Sequence, residues 1–251
     1  MILYEYPCNE RVRIFLRVEH LFERLTFFAQ GSEPLQHQVA VATLFDVLEL
    51  TDRVDLRGMV LQDIERQRNA MQALREHPGV SAEALDAMFQ GLQQVAEPLA
   101  EQGRIAEDLR DNGWLQSLRG RLTVPGCFAQ IDIPSYYCWQ NKPADERRAD
   151  IQQWMSSLLP VQEAIALLLR MLRGAANAVE RTASEGAYQE MLGGKNFQLL
   201  RVWVPKHLQA FPEMSANKYV IWVRFAQQSA QGKPQMIKQD VPFQLACCSI
   251  G

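Results

Sequence analysis

Arginines set near an aromatic residue are the groups in this sequence most suited to chemistry, and the chemistry they suit is recognition. Arg53 and Arg57 lie four apart at what reads as a helix entrance, which puts both guanidinium groups on one face if that helix includes them. Arg11, Arg13 and Arg17 add basic groups to the first helix. Near the other end, Lys218 and Arg224 fall on one face of a predicted strand together with Trp222. A guanidinium presents two parallel N–H donors to a carboxylate, and a neighbouring indole offers a flat surface to a short apolar anchor on a peptide. Spacing alone favours a plainer arrangement, in which the helix arginines pair with Glu10, Glu19, Asp52 and Asp55.

Groups that would perform a reaction are harder to find. The chain has no G-x-S-x-G elbow, no G-x-G-x-x-G and no G-x-x-x-x-G-K-[ST]. Gly193-Gly194-Lys195 lacks the preceding glycine of a phosphate loop and has Asn196 where a metal-binding hydroxyl belongs; it reads as a loop from helix to strand. His20, His37, His77 and His207 are dispersed, so no metal or other cofactor is expected. Asp145-Glu146 beside Arg147-Arg148, and Asp63 and Glu65 beside Arg66 and Arg68, read as charges on solvated helices. Cys138 has no base adjacent to it in sequence. The five cysteines form no C-x-x-C pair, and adjacent Cys247 and Cys248 would face opposite sides of a strand, which fits reduced thiols in a cytosolic protein. The expectation is a binding protein and not an enzyme.

The partner is constrained by charge. Of 251 residues 47% are hydrophobic and 22% charged, and the formal charge of −3 argues against nucleic acid as a partner. Lys195, Arg201, Lys206, Lys218, Arg224, Lys233 and Lys238 face only Glu213 and Asp240 in the last quarter, so a basic C-terminal surface is expected on an otherwise acidic chain. No apolar stretch approaches the ~18 residues of a membrane span, and Met1–Glu10 does not read as a signal peptide, so no membrane insertion is expected.

The elements that must position these groups come in two kinds. Val12, Phe15, Leu16, Leu21, Phe22, Leu25 and Phe28 recur at helical spacing behind a cap at Asn9. Gly31 to Pro34 ends that helix, and a second runs through Val39, Ala42, Leu44, Phe45, Val47 and Leu48. Asp55 caps a third, ending before His77-Pro78-Gly79, and Ser81 caps a fourth with Leu85, Met88, Phe89, Leu92 and Val95. A fifth spans 104–118. At Gly120 the pattern changes to two short strands about Pro125-Gly126, then an aromatic loop, Tyr136-Tyr137-Cys138-Trp139. Helices return from Pro143, break at Pro160 and continue over 161–179, the last segment apolar on more than one side. Strands close the chain at 197–204, 219–225 and 241–248, with Tyr219, Ile221, Val223 and Phe225 inward. The expected class is α+β: a helical domain of residues 1–119 with 143–192, and a small antiparallel β-rich domain of 120–142 with 193–251, built from central and C-terminal strands.

Taken in order, several segments resemble one family. Met1-Ile2-Leu3-Tyr4-Glu5-Tyr6-Pro7, Asn9-Glu10-Arg11-Val12-Arg13 and Leu16-Arg17 are similar to the start of the Z-ring-associated protein D (ZapD) family. The likeness continues through Asp63-Ile64-Glu65-Arg66-Gln67, Val124-Pro125-Gly126 and Asp132-Ile133-Pro134 with Trp139. It then takes in Ser215-Ala216-Asn217-Lys218, Val223-Arg224-Phe225 and Pro242-Phe243-Gln244-Leu245-Ala246-Cys247. The resemblance implies a cytoplasmic bacterial cell division factor at the midcell Z-ring, a homodimer of helical and β-rich domains. It would bind the C-terminal tail of FtsZ, the tubulin-like division GTPase, and bundle its protofilaments without cofactor or catalysis. Family members hold the tail in a basic pocket, which the resemblance places at Arg53 and Arg224 here; Arg57, Lys218 and Trp222 are the further expected tail-binding residues, and Val220 stands where some relatives are basic. The alternative expectation is an enzyme or binding protein for a small anionic ligand in the same pocket.

Overall fold

A computed structural model describes the chain except for residues 76–80, 123, 127, 230–231 and 251. It is α+β and divides into two units, 17–168 and 1–16 with 169–251, the boundaries falling inside two helices.

The helical unit contains most of α1 (Glu10–Ala29), α2 (Pro34–Arg53), α3 (Leu56–Leu74), α4 (Ala82–Glu101), α5 (Glu107–Asp111), α6 (Gly113–Arg119), α7 (Pro134–Gln140) and α8 (Ala144–Ser156), with the start of α9 (Leu159–Gly174). Polar side chains set the starts of the helices. Asn9 Oδ1 accepts from the N–H of Val12 at 2.9 Å, Asp55 Oδ1 from Gly58 at 2.9 Å and Ser81 Oγ from Ala84 at 3.3 Å. Each satisfies one of the N–H groups that a helix start leaves without an intrahelical acceptor, and each is made by the residue expected to make it. Behind the caps, the apolar periodicity buries single faces: Val18, Phe22 and Leu25 on α1, and Leu85, Leu92 and Leu99 on α4.

Between α6 and α8 the structure departs from expectation. Residues 120–133 form no strand among those described; short-range bonds wind them into turns, with Val124 N–H to Arg121 O at 3.0 Å and Ala129 N–H to Gly126 O at 3.0 Å. The apolar side chains that suggested strands find no partner sheet, and Ile131 stays 88% exposed. The aromatic segment expected as a loop is helix α7, started by Pro134 in its first turn. It packs Tyr136 and Trp139 against Trp114, Phe128 and Trp154, with ring centroids 4.7–6.4 Å apart. Residues 120–142 therefore lie in the helical unit and not with the strands. The expected fifth helix is two, split at Asn112, whose Oδ1 caps α6 through Leu115 N–H at 3.0 Å. The break before α9 falls at Ser157-Leu158, and Pro160 occupies its first turn. That helix stops at Gly174, and its burial is one broad face (Val161, Ala164, Ile165, Leu168, Leu169, Leu172) rather than several. The turn expected at His77-Pro78-Gly79 lies outside the described residues.

The β unit is a pair of antiparallel sheets. One has the order β1-β4-β8-β2, from β1 (Ile2–Pro7), β4 (Leu199–Val204), β8 (Val241–Cys248) and β2 (Val179–Ala183). The other has β3-β6-β5, from β3 (Ala187–Met191), β6 (Val220–Gln227) and β5 (Ala210–Ala216), with β7 (Gln235–Met236) against the end of β6. Leu200, Val202 and Val204 from the first sheet meet Ile221, Val223 and Phe225 from the second, with Phe225 and Phe243 rings 5.1 Å apart. The hairpin β2–β3 turns through Glu185 (φ 50) and Gly186 (φ 75), the two positive-φ residues of a tight right-twisting turn. A Cβ on Gly186 would lie 2.2 Å from Ile237 O, so no other residue fits there. Glu5 on β1 accepts from Arg173 Nε and Arg201 Nε, each at 2.9 Å, fastening the last turn of α9 to this sheet. This unit draws on the N-terminal strand and on 179–248, not on central strands at 120–142, and residues 179–192 belong to it.

Candidate functional site

Strand β6 places the C-terminal pair of candidate residues. Ile221, Val223 and Phe225 are fully buried, so the alternate residues Trp222 and Arg224 project from the opposite face. Register sets Trp222 between Gln189 and Ser215, and Arg224 between Ala187 and Glu213; all four flanking residues are exposed. Trp222 is half-buried and Arg224 exposed, and Arg224 makes no ion pair among the described residues, although Glu213 stands opposite it. The face thus offers an indole and a guanidinium flanked by amide, hydroxyl and carboxylate.

Three expectations about this strand need correction. Tyr219 is not inward; it precedes the strand in the β5–β6 turn and is 58% exposed. Val220 shares the outward parity of Trp222 yet is buried, at the start of the strand where its backbone is bonded to Asn217. Lys218 belongs to the same turn and not to the strand face. Asn217 Oδ1 accepts from the N–H of Tyr219 at 2.8 Å and of Val220 at 3.0 Å, which fixes the turn. Lys218 Nζ lies 4.8 Å from the Tyr219 ring centroid and borders a cavity of about 110 Å³ with Lys195, Asn196, Asn217 and Cys8. Gly193-Gly194 links strand β3 to β4, not helix to strand, and takes φ 57 and 84 there.

Arg53 and Arg57 belong to the helical unit and to different helices. Arg53 ends α2, Arg57 lies in the first turn of α3, and Val54-Asp55 separates them, so they do not share a helix face. Arg53 is 75% exposed and pairs with Glu49 one turn back. Arg57 is committed: its Nε donates to Leu99 O at 2.9 Å and its Nη2 to Ala100 O at 2.5 Å. Those are carbonyls of the last turn of α4, which have no intrahelical donor, so Arg57 acts as a side-chain cap of that helix.

Next to Arg53 in sequence stands the centre of a cluster that the sequence reading missed. Asp52 receives Arg110 Nη2 at 2.8 Å, Arg119 Nη2 at 2.9 Å and Arg104 Nη2 at 3.2 Å. Burial by itself would raise the Asp52 carboxyl, but hydrogen bonds from Arg110 and Arg119 outweigh it and hold the group below its ordinary value. Arg57, Arg104, Arg110 and Asp55 line a cavity of about 200 Å³ beside it. The signal was hard to find because the donors stand 52 to 67 residues away in sequence.

Other titratable groups serve the fold. Arg147 is buried and donates to His37 Nδ1 and to the carbonyls of Gln140, Lys142 and Ser32, not to a solvated helix surface as expected. Burial pushes the Cys8 thiol up to about 11 and Cys247 up to about 12. Among the described residues no group of three metal-ligating side chains converges, and no single helix is long and apolar enough to cross a membrane.

Comparison with known proteins adds a family to this geometry. The ZapD family model, described as cell division protein, matches residues 16–224. The Cell division protein ZapD of Bordetella pertussis (strain Tohama I) is 51% identical over 249 residues, 99% of this chain and 98% of that protein. The protein of the same name from Bordetella petrii is 52% identical over 249 residues, covering 99% and 100% of the two chains. That from Janthinobacterium sp. (strain Marseille) is 44% identical over 250 residues, again 99% and 100%.

Proposed function

The chain belongs to the ZapD family of cell division proteins, and on that premise we propose that it binds the C-terminal tail of FtsZ and, as a homodimer, crosslinks FtsZ filaments at the division site in the cytoplasm. The observation that carries this reading is the outward-facing Trp222–Arg224 pair on a strand paired on both sides, in a chain matched along its length by cell division proteins. On the β unit Trp222 supplies a face for an apolar tail residue, Arg224 a fork for a carboxylate and Lys218 further positive charge; on the helical unit Arg53 is an exposed cation and Arg57 holds the end of α4.

The role is non-catalytic. A dimer carrying one tail site per subunit engages two filaments, and the many tails along each filament convert modest single-site affinity into bundling through effective concentration. Charge-assisted contacts at exposed arginines make the association salt-sensitive. A small anionic ligand is the weaker reading, because the ~200 Å³ basic cavity in the helical unit falls below the roughly 300–1,000 Å³ of enclosed ligand sites.

Co-sedimentation with polymerised FtsZ tests the proposal. The wild-type protein should pellet with and bundle the polymers, and Arg224→Glu should abolish bundling with an unchanged thermal midpoint. Equal bundling of full-length and tailless FtsZ would overturn the tail assignment.

A further inference from the structure

Gly193-Gly194-Lys195 lacks the pattern of a metal-dependent phosphate loop, yet the fold gives it a second half. Gly193 and Gly194 take φ 57 and 84, and a Cβ on either would meet nothing within 4 Å, so both serve the backbone turn and not a close approach. That turn carries the chain from β3 to β4 and delivers Lys195 and Asn196 to the cavity of about 110 Å³ that Asn217 and Lys218 line from the β5–β6 turn. All four residues, and every other residue of the lining, belong to the β unit.

The lining joins apolar side chains to unspent donors. Leu200 and Ile221 are fully buried parts of it. No carboxylate lines the cavity, and neither Lys195 nor Lys218 has an ion-pair partner among the described residues. Asn217 spends its Oδ1 on the N–H groups of Tyr219 and Val220, which leaves its NH₂ to donate. The Asn196 side chain, and the backbone N–H groups of Asn196, Phe197 and Lys218, make no hydrogen bond among the described residues. The Cys8 thiol in the lining is pushed up to about 11 by burial and brings no negative charge at neutral pH. The volume lies far below the roughly 300–1,000 Å³ of sites that enclose a whole ligand, so the cavity suits a single chemical group.

We propose that this cavity binds a phosphate dianion, free or carried as a monoester, with Lys195 and Lys218 supplying charge and Asn196 and Asn217 amide donors. A planar carboxylate is matched by a guanidinium fork, and none lines this cavity. Ammonium groups act instead as point charges, and with separate N–H donors around them they suit the several oxygens of a tetrahedral phosphate. The two negative charges of that group also equal the two ammonium charges of the lining. Asn196, where a metal-dependent loop has a hydroxyl, serves here as a donor to the anion itself. Lys218 also figures in tail binding, so the test turns on Lys195, which has no part in it.

Backbone amide NMR of the full-length protein, titrated with sodium phosphate at constant ionic strength, tests the site. The amide signals of Asn196, Phe197 and Lys218 should shift and saturate, while sodium chloride and sodium acetate should not saturate them. Glycerol 2-phosphate, a monoester, is titrated in parallel; saturation by either phosphate upholds the site, and the pair distinguishes a free ion from an esterified group. Affinity for the monoester should fall about tenfold between about pH 7 and pH 5, as its second pKa of about 6 is crossed and the dianion is lost. Lys195→Gln should weaken phosphate binding about tenfold to a hundredfold, the loss expected for a charge-assisted hydrogen bond. Lys195→Arg should restore most of it, and Asn196→Ala should weaken binding by less than Lys195→Gln does. Lys195 is exposed, so an unchanged thermal midpoint separates binding from folding. Shifts that chloride or acetate reproduce at equal ionic strength would overturn the phosphate assignment. Wild-type affinity in Lys195→Gln, or no saturation by either phosphate, would overturn the site. None of these measurements uses FtsZ, so their failure leaves tail binding untouched.

Discussion

Replacing Arg147 by Met removes a guanidinium from the interior of the helical unit while keeping most of its aliphatic stem. In the native protein Arg147 is 4% exposed and His37 is fully buried. Arg147 Nε donates to His37 Nδ1 at 2.8 Å, Nη1 to Gln140 O at 2.8 Å and to Lys142 O, and Nη2 to Ser32 O. His37 Nε2 is in turn 2.8 Å from Gly31 O, which fixes the neutral tautomer with its proton on Nε2. One cation thus ties the α1–α2 turn and the α7–α8 turn to α8 without a carboxylate. Each buried acceptor left without a donor costs about 1–3 kcal/mol. The carbonyls at the turns rehydrate in part, so the total should be about 3–5 kcal/mol, the usual scale for breaking a buried charged network. For a chain of this size that is a fall of roughly 6–20 °C in thermal midpoint.

The same change alters the response to pH. Burial, and then the guanidinium groups of Arg147 and Arg148, press the His37 pKa below its ordinary value, against the opposing pull of the Gly31 and Ala29 carbonyls. With the folded value below the unfolded one of about 6.5, the unfolded chain binds the proton more readily. Stability from His37 is therefore fully present above about pH 6.5 and declines as pH falls towards the folded value, by at most about 1.4 kcal/mol per pH unit. In Arg147→Met the nearest cation is gone, so the decline between pH 6.5 and 5.5 should be shallower. Circular dichroism melts of both proteins across that range measure the two effects together. A midpoint lowered by less than about 2 °C, or a pH slope identical to wild type, would refute the account.

Further outcomes follow from other contacts. Arg57→Ala should lower stability by about 1–2 kcal/mol by uncapping α4, seen as faster amide exchange in its last turn. Glu5→Ala leaves Arg173 and Arg201 without their shared carboxylate in a site 15% exposed, and should cost about 2–4 kcal/mol in urea denaturation. Iodoacetamide at pH 8 followed by peptide mapping should modify the exposed Cys138 and spare Cys8 and Cys247, whose thiols stay protonated to about 11 and about 12. Modification of Cys8 at the rate of Cys138 would contradict that burial.

Local signals were legible in the sequence where their physics is local. Asn9, Asp55 and Ser81 cap the helices they were expected to cap because the acceptor and the N–H it meets are three residues apart. Strand β8 runs over the expected span, and the inward alternation of Ile221, Val223 and Phe225 holds. Strand β1 was not seen as a strand, since its pairing of Ile2 with Val204 is invisible without the partner. The segment 120–133 has strand composition, yet its described residues make local turn bonds instead. At the candidate site, Trp222 and Arg224 were legible from strand period alone. The different fates of Arg53, Arg57 and Arg104 were not, because each is decided by an acceptor on another element or by its lack of one.

The pairing of β1 with β4 also governs how the chain is made. Ile2–Pro7 leaves the ribosome long before its ladder partner Leu199–Val204, which is synthesised almost two hundred residues later. At about 5–20 residues per second, β1 waits roughly 10–40 s for that partner. Residues 17–168 are complete before β4 exists, so the helical unit can fold during this interval while β1 remains unpaired. Closing the sheet then follows the synthesis of the whole helical unit, and it joins two segments whose synthesis that unit separates.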